Sequence, residues 1–202
     1  MRNTAFANWL LWLVLTVVAV AVCVAFVDRP VAHMADPQAS YVLALDIVLL
    51  FLPLGVLSIV TAGCLTLAGR PLPRWLEVAA IAGFSVAAAI TCNFFLLQPG
   101  IGRIGVYAWM AHPSQYGFVP FHGHRGSGLP SGHTTIAASY LLVFWIYYRR
   151  LRIPIGIVIA AVMVGLVAAG WHFVADVIAG LFTGATAAIM TVALFRARVS
   201  PP

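Results

Sequence analysis

Two short stretches of the sequence combine a histidine with residue types that bind anions or move protons. In "PSGH", residues 130–133, Ser131 is a typical N-cap of a helix, and Gly132 lets a ligand approach the backbone closely. The exposed N–H groups and the dipole at a helix start favour an anion such as phosphate. His133 would lie within one turn of that anion.

His172 and Asp176 are four residues apart in "GWHFVADVIAG", residues 170–180, and therefore share one helix face. A carboxylate at this spacing takes the proton of one ring nitrogen, which leaves the other nitrogen free to attack. An acidic residue within an apolar run is costly and usually functional. The alternative for both stretches is structural: a capped helix end with an interfacial histidine, and a His–Asp pair that only holds two helices together.

The composition predicts the class of protein that must position these residues. The 202 residues are 63% hydrophobic and 8% charged, which is typical of an integral membrane protein. The net charge of +6 does not indicate nucleic-acid binding, because the arginines stand between apolar runs and form no basic patch. The three cysteines lie in apolar segments and are interpreted as packing residues. The chain contains no lysine.

The apolar runs predict an all-α bundle of six transmembrane helices that forms a single domain over residues 1–202. The first run is interpreted as a helix and not as a signal peptide, because it exceeds the usual length of such a region. Gly170 is the predicted turn between the last two spans. The predicted spans are residues 9–27, 41–67, 75–97, 131–148, 153–171 and 173–195.

The arginines predict the orientation of the bundle through the positive-inside rule. With the N-terminus inside, eight arginines are cytoplasmic and three are outside, namely Arg29, Arg103 and Arg125. Both termini are then cytoplasmic, and all six histidines lie on the outer side. We expect an integral protein of a bacterial inner membrane whose site faces the periplasm or exterior.

The long outer connection, residues 98–130, is predicted to be a polar functional loop. Its "GIGRIG" fits a dinucleotide-binding pattern, but a membrane helix precedes it where that pattern needs a strand. His112, His122 and His124 lack a nearby cysteine or carboxylate, so no metal and no cofactor is expected. Asp46 is interpreted as a satisfied interfacial acid, with contact to Arg103 or Arg125 as the alternative.

With these residues, the sequence resembles the type 2 phosphatidic acid phosphatase family. The family is described by three motifs: Lys-x6-Arg-Pro, then Pro-Ser-Gly-His, then Ser-Arg-x5-His-x3-Asp. The second motif is intact at residues 130–133, and the third is half present as His172 and Asp176. "YGFVPF", residues 116–121, also looks like the loop of some bacterial members. The resemblance extends from about residue 98 to residue 180.

The chain departs from the family where the family has its cations. Gln98 stands in the position of the first motif's lysine, and only Gly102 and Arg103 of that region remain. The third motif's Ser-Arg falls on Gly165 and Leu166, so its arginine is missing. The expected phosphate-binding residues, which include two arginines that could instead be interfacial anchors, are Ser131, Gly132, Arg103, Arg125 and Gln98.

The resemblance implies hydrolysis of a lipid phosphate or diphosphate. His172 is expected to attack phosphorus and form a phosphohistidine, with Asp176 orienting it. His133 is expected to protonate the leaving oxygen and then to deprotonate water. One alternative is a phosphotransferase with an alcohol in place of water, and another is an inactive relative that binds lipid or scaffolds a partner. The oligomeric state does not follow from the sequence.

The orientation can be tested with introduced cysteines. We expect a membrane-impermeant thiol reagent applied from outside to label cysteines at Ser114 and Ser127, because both lie in the outer loop. Cysteines at Arg74 and Arg150 should be protected. Labelling at position 150 would reverse the predicted orientation.

Overall fold

The chain folds as a helical bundle. The computed structural model describes residues 2–36, 46–121 and 128–195, in which the only β-type pairing is an isolated bridge between Arg103 and Phe118. The helices of six or more residues in these ranges are α1 (Arg2–Val22), α2 (Phe51–Leu67), α3 (Arg74–Cys92), α4 (Val106–Ala111), α5 (Gly132–Tyr147), α6 (Arg152–Ala168) and α7 (Val174–Phe195).

Two of these helices continue through a π-helical segment. α1 runs on through Cys23–Val27 into Asp28–Ala32, and α3 runs on through Asn93–Leu97 into Gln98–Ile101. π-Helical segments are rare and occur frequently at functional sites. Here both segments directly precede a buried polar residue, Asp28 after the first segment and Gln98 after the second.

Five helices in the described part of the chain are long and apolar enough to cross a membrane. The predicted span at residues 131–148 forms α5, which has 16 residues and is not one of the five. It starts at its Ser131 cap and ends at Tyr148, immediately before Arg149 and Arg150. Six spans are therefore not confirmed. The five candidate spans are Phe6–Ala32, Asp46–Leu67, Arg74–Ile101, Arg149–Ala168 and Val174–Phe195.

The predicted loop at residues 98–130 is partly helical, which corrects the sequence prediction. α3 extends to Ile101, and α4 and a 3-10 turn at Pro113–Gln115 follow. The polar composition suggested a loop because these short helices carry no long apolar stripe. The turn predicted at Gly170 is confirmed, with a φ of 69° that favours glycine.

α5 is the central helix, and it contacts α2, α3, α6 and α7. The main core consists of apolar side chains that these helices bury against one another. Close packing of such side chains fixes the relative positions of the helices. Fully or almost fully buried members include Val86, Ile136, Val143, Leu166 and Val192.

Glycines allow α5 and α7 to approach each other closely. A Cβ atom on Gly180 would lie 2.8 Å from the carbonyl oxygen of Ser131. A Cβ atom on Gly184 would lie 2.6 Å from the Ala138 Cβ and 2.8 Å from the Thr135 carbonyl oxygen. Small residues at helix contacts are a common means of close packing in membrane bundles. The two helices that carry the candidate site are therefore in contact at backbone level.

This contact gives a prediction for Gly184→Ala. We expect the variant to lower the unfolding temperature in detergent, because the added methyl group meets backbone atoms and overpacking costs about 1–3 kcal/mol. Gly63→Ala is the matched control, since a Cβ atom there has no neighbour within 4 Å in the described structure. Alanine is the better helix former, so the control should be neutral or slightly stabilising. Equal stability of the two variants would contradict the tight contact.

Candidate active site

Ser131 starts α5 and caps it. Its side-chain oxygen accepts a hydrogen bond from the Thr134 N–H at 3.3 Å, which confirms the predicted N-cap. The N–H groups of Gly132 and His133 have no acceptor within the described ranges. Such N–H groups at a helix start can receive the oxygens of an anion.

Two amide side chains at the end of α3 hold the turn before α5. Asn93 Nδ2 and Gln98 Nε2 both donate to the carbonyl oxygen of Pro130, at 3.3 Å and 3.0 Å. Both side chains are buried. Gln98 was predicted to contact phosphate, but its amide nitrogen already binds the backbone here. The geometry therefore favours a supporting role for Gln98 beneath the Pro-Ser-Gly-His segment.

Asp176 lies in the first turn of α7 and is completely buried. Its Oδ2 accepts a hydrogen bond from the Phe173 N–H at 3.0 Å and lies 3.5 Å from Nδ1 of His172. Nδ1 of His172 has no hydrogen-bond partner among the described residues. The Asp176 carboxylate is the charged group that lies beside it. This arrangement leaves Nε2 of His172 for chemistry.

A backbone hydrogen bond joins the starts of α5 and α7. The Ser131 N–H donates to the carbonyl oxygen of Asp176 at 2.9 Å. The ring centroids of His133 and His172 are consequently 6.1 Å apart. The structure thus brings together the two histidines. His172, however, lies in the bend that precedes α7 and not on a helix face shared with Asp176, which corrects the prediction from the four-residue spacing.

Arg103 is buried between two carboxylates. Its NH1 donates to Asp176 Oδ1 at 2.7 Å, and its NH2 donates to Asp28 Oδ2 at 2.6 Å. The guanidinium also lies over the ring of Phe173, 4.3 Å from the centroid. Burial alone would lower the pKa of Arg103, but the carboxylates of Asp176 and Asp28 raise it above its ordinary value.

These contacts differ from the phosphate contact predicted for Arg103. Its side chain is 2% exposed, and both terminal nitrogens already bind carboxylates. The geometry therefore favours a role in positioning Asp176. The other arginine predicted to bind phosphate, Arg125, lies outside the described residues, as do His122 and His124.

Asp28 is a component of this end of the bundle that the sequence did not suggest. It lies in "VDRP", where a charged residue after an apolar run is ordinarily an interfacial residue. Its carboxylate is instead buried, and it also accepts the Ala175 N–H of α7 at 3.0 Å. The sequence signal was weak because Arg103 is 75 residues away.

Asp46 lies opposite His133, a neighbour that neither sequence interpretation named, and its side chain is 53% exposed. Asp46 Oδ1 is 3.7 Å from His133 Nε2, a distance typical of an ion pair and longer than a hydrogen bond. Burial, and after it the neighbouring His172, lowers the pKa of His133 below its ordinary value, and the Asp46 carboxylate opposes this shift only in part. Each histidine therefore has a carboxylate neighbour of its own.

Comparisons with known proteins identify the family to which the chain belongs. The sequence model of the PAP2 superfamily matches residues 46–200. The lipid A 1-phosphatases of Rhizobium johnstonii and Rhizobium etli are 35% and 33% identical over 106 residues, which is 50% of this chain. These alignments cover 41% and 43% of the relatives, so the chain spans less than half the length of the curated relatives it matches. No solved structure shows a significant match.

Proposed function

Because the chain belongs to the PAP2 superfamily, we propose that it is a membrane lipid phosphatase that works through a phosphohistidine. The observation that carries the proposal is the pair of imidazoles, 6.1 Å apart at the joined starts of α5 and α7. A covalent phosphoryl transfer needs a nucleophile and a proton donor on opposite sides of one phosphorus atom. A pair of histidines at this separation supplies both groups.

In the first step, Nε2 of His172 attacks phosphorus while Asp176 stabilises the proton and the growing positive charge at Nδ1. The nitrogen–phosphorus bond forms as the bond to the lipid oxygen breaks. His133, in its protonated form, gives its proton to that oxygen, so the lipid leaves as an alcohol. Asp46 supports this step because it favours the protonated imidazole.

In the second step, His133 takes a proton from water as the water oxygen attacks the phosphohistidine. The nitrogen–phosphorus bond breaks, inorganic phosphate leaves, and both histidines return to their starting states. The Gly132 and His133 N–H groups are placed at the start of α5 to receive the phosphate oxygens. Arg125 remains the predicted cation for those oxygens.

A lipid substrate is supported by the position of the site within an apolar bundle and by the relatives. Five candidate spans would hold the site in or near a bilayer, where the head group of a lipid phosphate is found. The name of the two relatives places lipid A among the substrates to be tested. A bacterial inner membrane and a periplasmic site remain part of the proposal, based on the arginine distribution.

The proposal is tested by phosphate release in detergent from lipid A, phosphatidic acid and an isoprenyl diphosphate. We expect release from at least one of them by the wild type and by His112→Ala, a control outside the site. His172→Ala should release none. An inactive wild type would contradict the hydrolase and support the lipid-binding alternative, and transfer to an added alcohol in preference to water would support the transferase.

Trapping of labelled phosphate separates the roles of the two histidines. We expect acid-quenched His172→Ala to hold no labelled phosphate, because the nucleophile is gone. His133→Ala should be very slow on lipid phosphates but partly recover on an aryl phosphate, whose leaving group departs without a proton. Asp176→Asn should trap an intermediate amount of labelled phosphate, because the nucleophile remains but its tautomer is no longer fixed. Trapping on His172→Ala, or aryl rescue of that variant and not of His133→Ala, would reverse the assignment.

Asp46→Asn tests whether the outer carboxylate assists His133. We expect a rate about threefold to tenfold lower on lipid phosphates, since a neutral amide no longer favours the protonated imidazole. The loss should be smaller on an aryl phosphate. Glu77→Gln, at the start of α3, is the matched control and should keep its rate. An equal loss on both substrates would assign Asp46 to binding.

A further inference from the structure

Three buried charges connect the first helix to the nucleophile proposed above. Asp28 Oδ2 lies 2.6 Å from Arg103 NH2, and Arg103 NH1 lies 2.7 Å from Asp176 Oδ1. The side chains of Asp28 and Asp176 are 0% exposed, and that of Arg103 is 2% exposed. Charge-assisted hydrogen bonds between fully desolvated groups are short and strongly directional.

The contacts divide the carboxylate of Asp176 between two partners. Oδ1 accepts from Arg103, whereas Oδ2 faces His172 Nδ1 at 3.5 Å and accepts the Phe173 N–H. Arginine favours bidentate pairing with a single carboxylate. Asp28 opposes such pairing here because it holds the other terminal nitrogen of Arg103. Oδ2 of Asp176 therefore remains directed at the histidine.

Asp28 also fixes the backbone on which Asp176 lies. Its Oδ1 accepts the N–H of Ala175, in the first turn of α7, at 3.0 Å. One aspartate thus holds both the helix that carries Asp176 and the arginine that binds it. A carboxylate placed next to such a helix start also complements the helix dipole.

We propose that Asp28 is a positioning residue of the active site, which acts through Arg103 to keep Asp176 directed at His172. This inference rests on the proposed phosphatase function. Asp28 precedes the residues that match the PAP2 model, which begin at residue 46. Under this proposal, the helical segment that begins at Arg2 and reaches Ala32 contributes a functional residue to the site.

The three charges sum to −1 when both aspartates are ionised and Arg103 is protonated. This excess negative charge lies beside the imidazole that becomes cationic when His172 is phosphorylated. In the Asp28→Asn variant the cluster is neutral, and Arg103 is free to pair with Asp176 through both nitrogens. Both effects weaken the support of His172, and neither requires contact between Asp28 and the substrate.

The test compares Asp28→Asn with Asp28→Glu. Asparagine has the same shape and keeps an acceptor for the Ala175 N–H, whereas glutamate keeps the charge but adds a methylene group to a filled space. We expect Asp28→Asn to lower kcat about tenfold or more, with KM changed less than about twofold. Asp28→Glu should retain more of the wild-type kcat. Asp36→Asn, in the same outer segment, is the comparison outside the cluster.

Stability separates positioning from a purely structural role. Both variants should unfold at a lower temperature in detergent. Asp28→Glu overpacks a buried position, and Asp28→Asn turns an NH2 group towards the Arg103 nitrogen that donates to Asp28 Oδ2. Positioning predicts that kcat of the folded protein is higher for Asp28→Glu than for Asp28→Asn, whichever variant is the more stable. If Asp28→Asn is the more active variant, or if both folded variants keep the wild-type kcat, Asp28 is structural and the proposal is wrong.

A second measurement does not depend on turnover. Diethyl pyrocarbonate modifies neutral imidazoles, and mass spectrometry can follow the peptides that contain His172 and His112 separately. At alkaline pH, where imidazoles are neutral in every variant, we expect Asp28→Asn to slow modification of His172 about threefold or more and to leave His112 unchanged, because the attacking nitrogen loses the support of an oriented carboxylate. An unchanged His172 would contradict the proposal. A further outcome is that the wild type releases no phosphate while modification of His172 is still slower in Asp28→Asn than in the wild type. In that case the proposed function fails and the positioning role of Asp28 stands.

Arg103→Lys covers the case in which Asp28→Asn does not fold. A lysine ammonium is a single point charge and cannot reproduce the two-pronged bridge of a guanidinium. We expect this variant also to slow modification of His172 and to lower kcat with little change in KM. If His172 in a folded Arg103→Lys protein reacts with diethyl pyrocarbonate at the wild-type rate, the Asp28–Arg103–Asp176 bridge does not position the histidine.

Discussion

The ion pair between Arg103 and Asp176 is the interaction on which the candidate site depends. Asp176 is completely buried at the start of α7, and burial of a carboxylate is costly unless a charged or hydrogen-bonding partner is present. Arg103 supplies the charge and reaches it from the connection that follows α3. The same carboxylate faces His172, so the Arg103–Asp176 ion pair also influences the electrostatics of the proposed nucleophile.

The packing of α5 against α7 gives the site its dimensions. Gly180 and Gly184 remove the side chains that would keep the two backbones apart. The hydrogen bond from the Ser131 N–H to the Asp176 carbonyl then holds the helix starts together. The separation of His133 and His172 follows from these two constraints. Helix packing thus turns two distant sequence segments into one possible reaction centre.

The described structure shows a different use of cations from the one expected of the family resemblance. Gln98 stands in the position of the family's lysine and supports the Pro130 carbonyl, and Arg103 binds two aspartates. The described N–H groups at the start of α5 and the proton on His133 are then the main candidates for neutralising phosphate charge. Within the described residues, preorganised dipoles rather than arginine contacts would therefore receive the phosphate oxygens, whereas Arg125, the other predicted cation, lies outside them.

The sequence by itself determined the all-helical class, the Ser131 cap, the turn at Gly170 and the family, which the PAP2 match confirms. These features follow from hydrophobic runs, from residue types at helix ends and from a short motif, all of which depend on neighbouring residues and little on tertiary contacts. The tertiary structure alone decided the partners of Arg103, the burial of Asp28 and the position of Asp46 opposite His133. Each of these charges pairs with a residue more than 70 positions away, and composition and spacing carry no information on which distant charges a folded bundle brings within 4 Å.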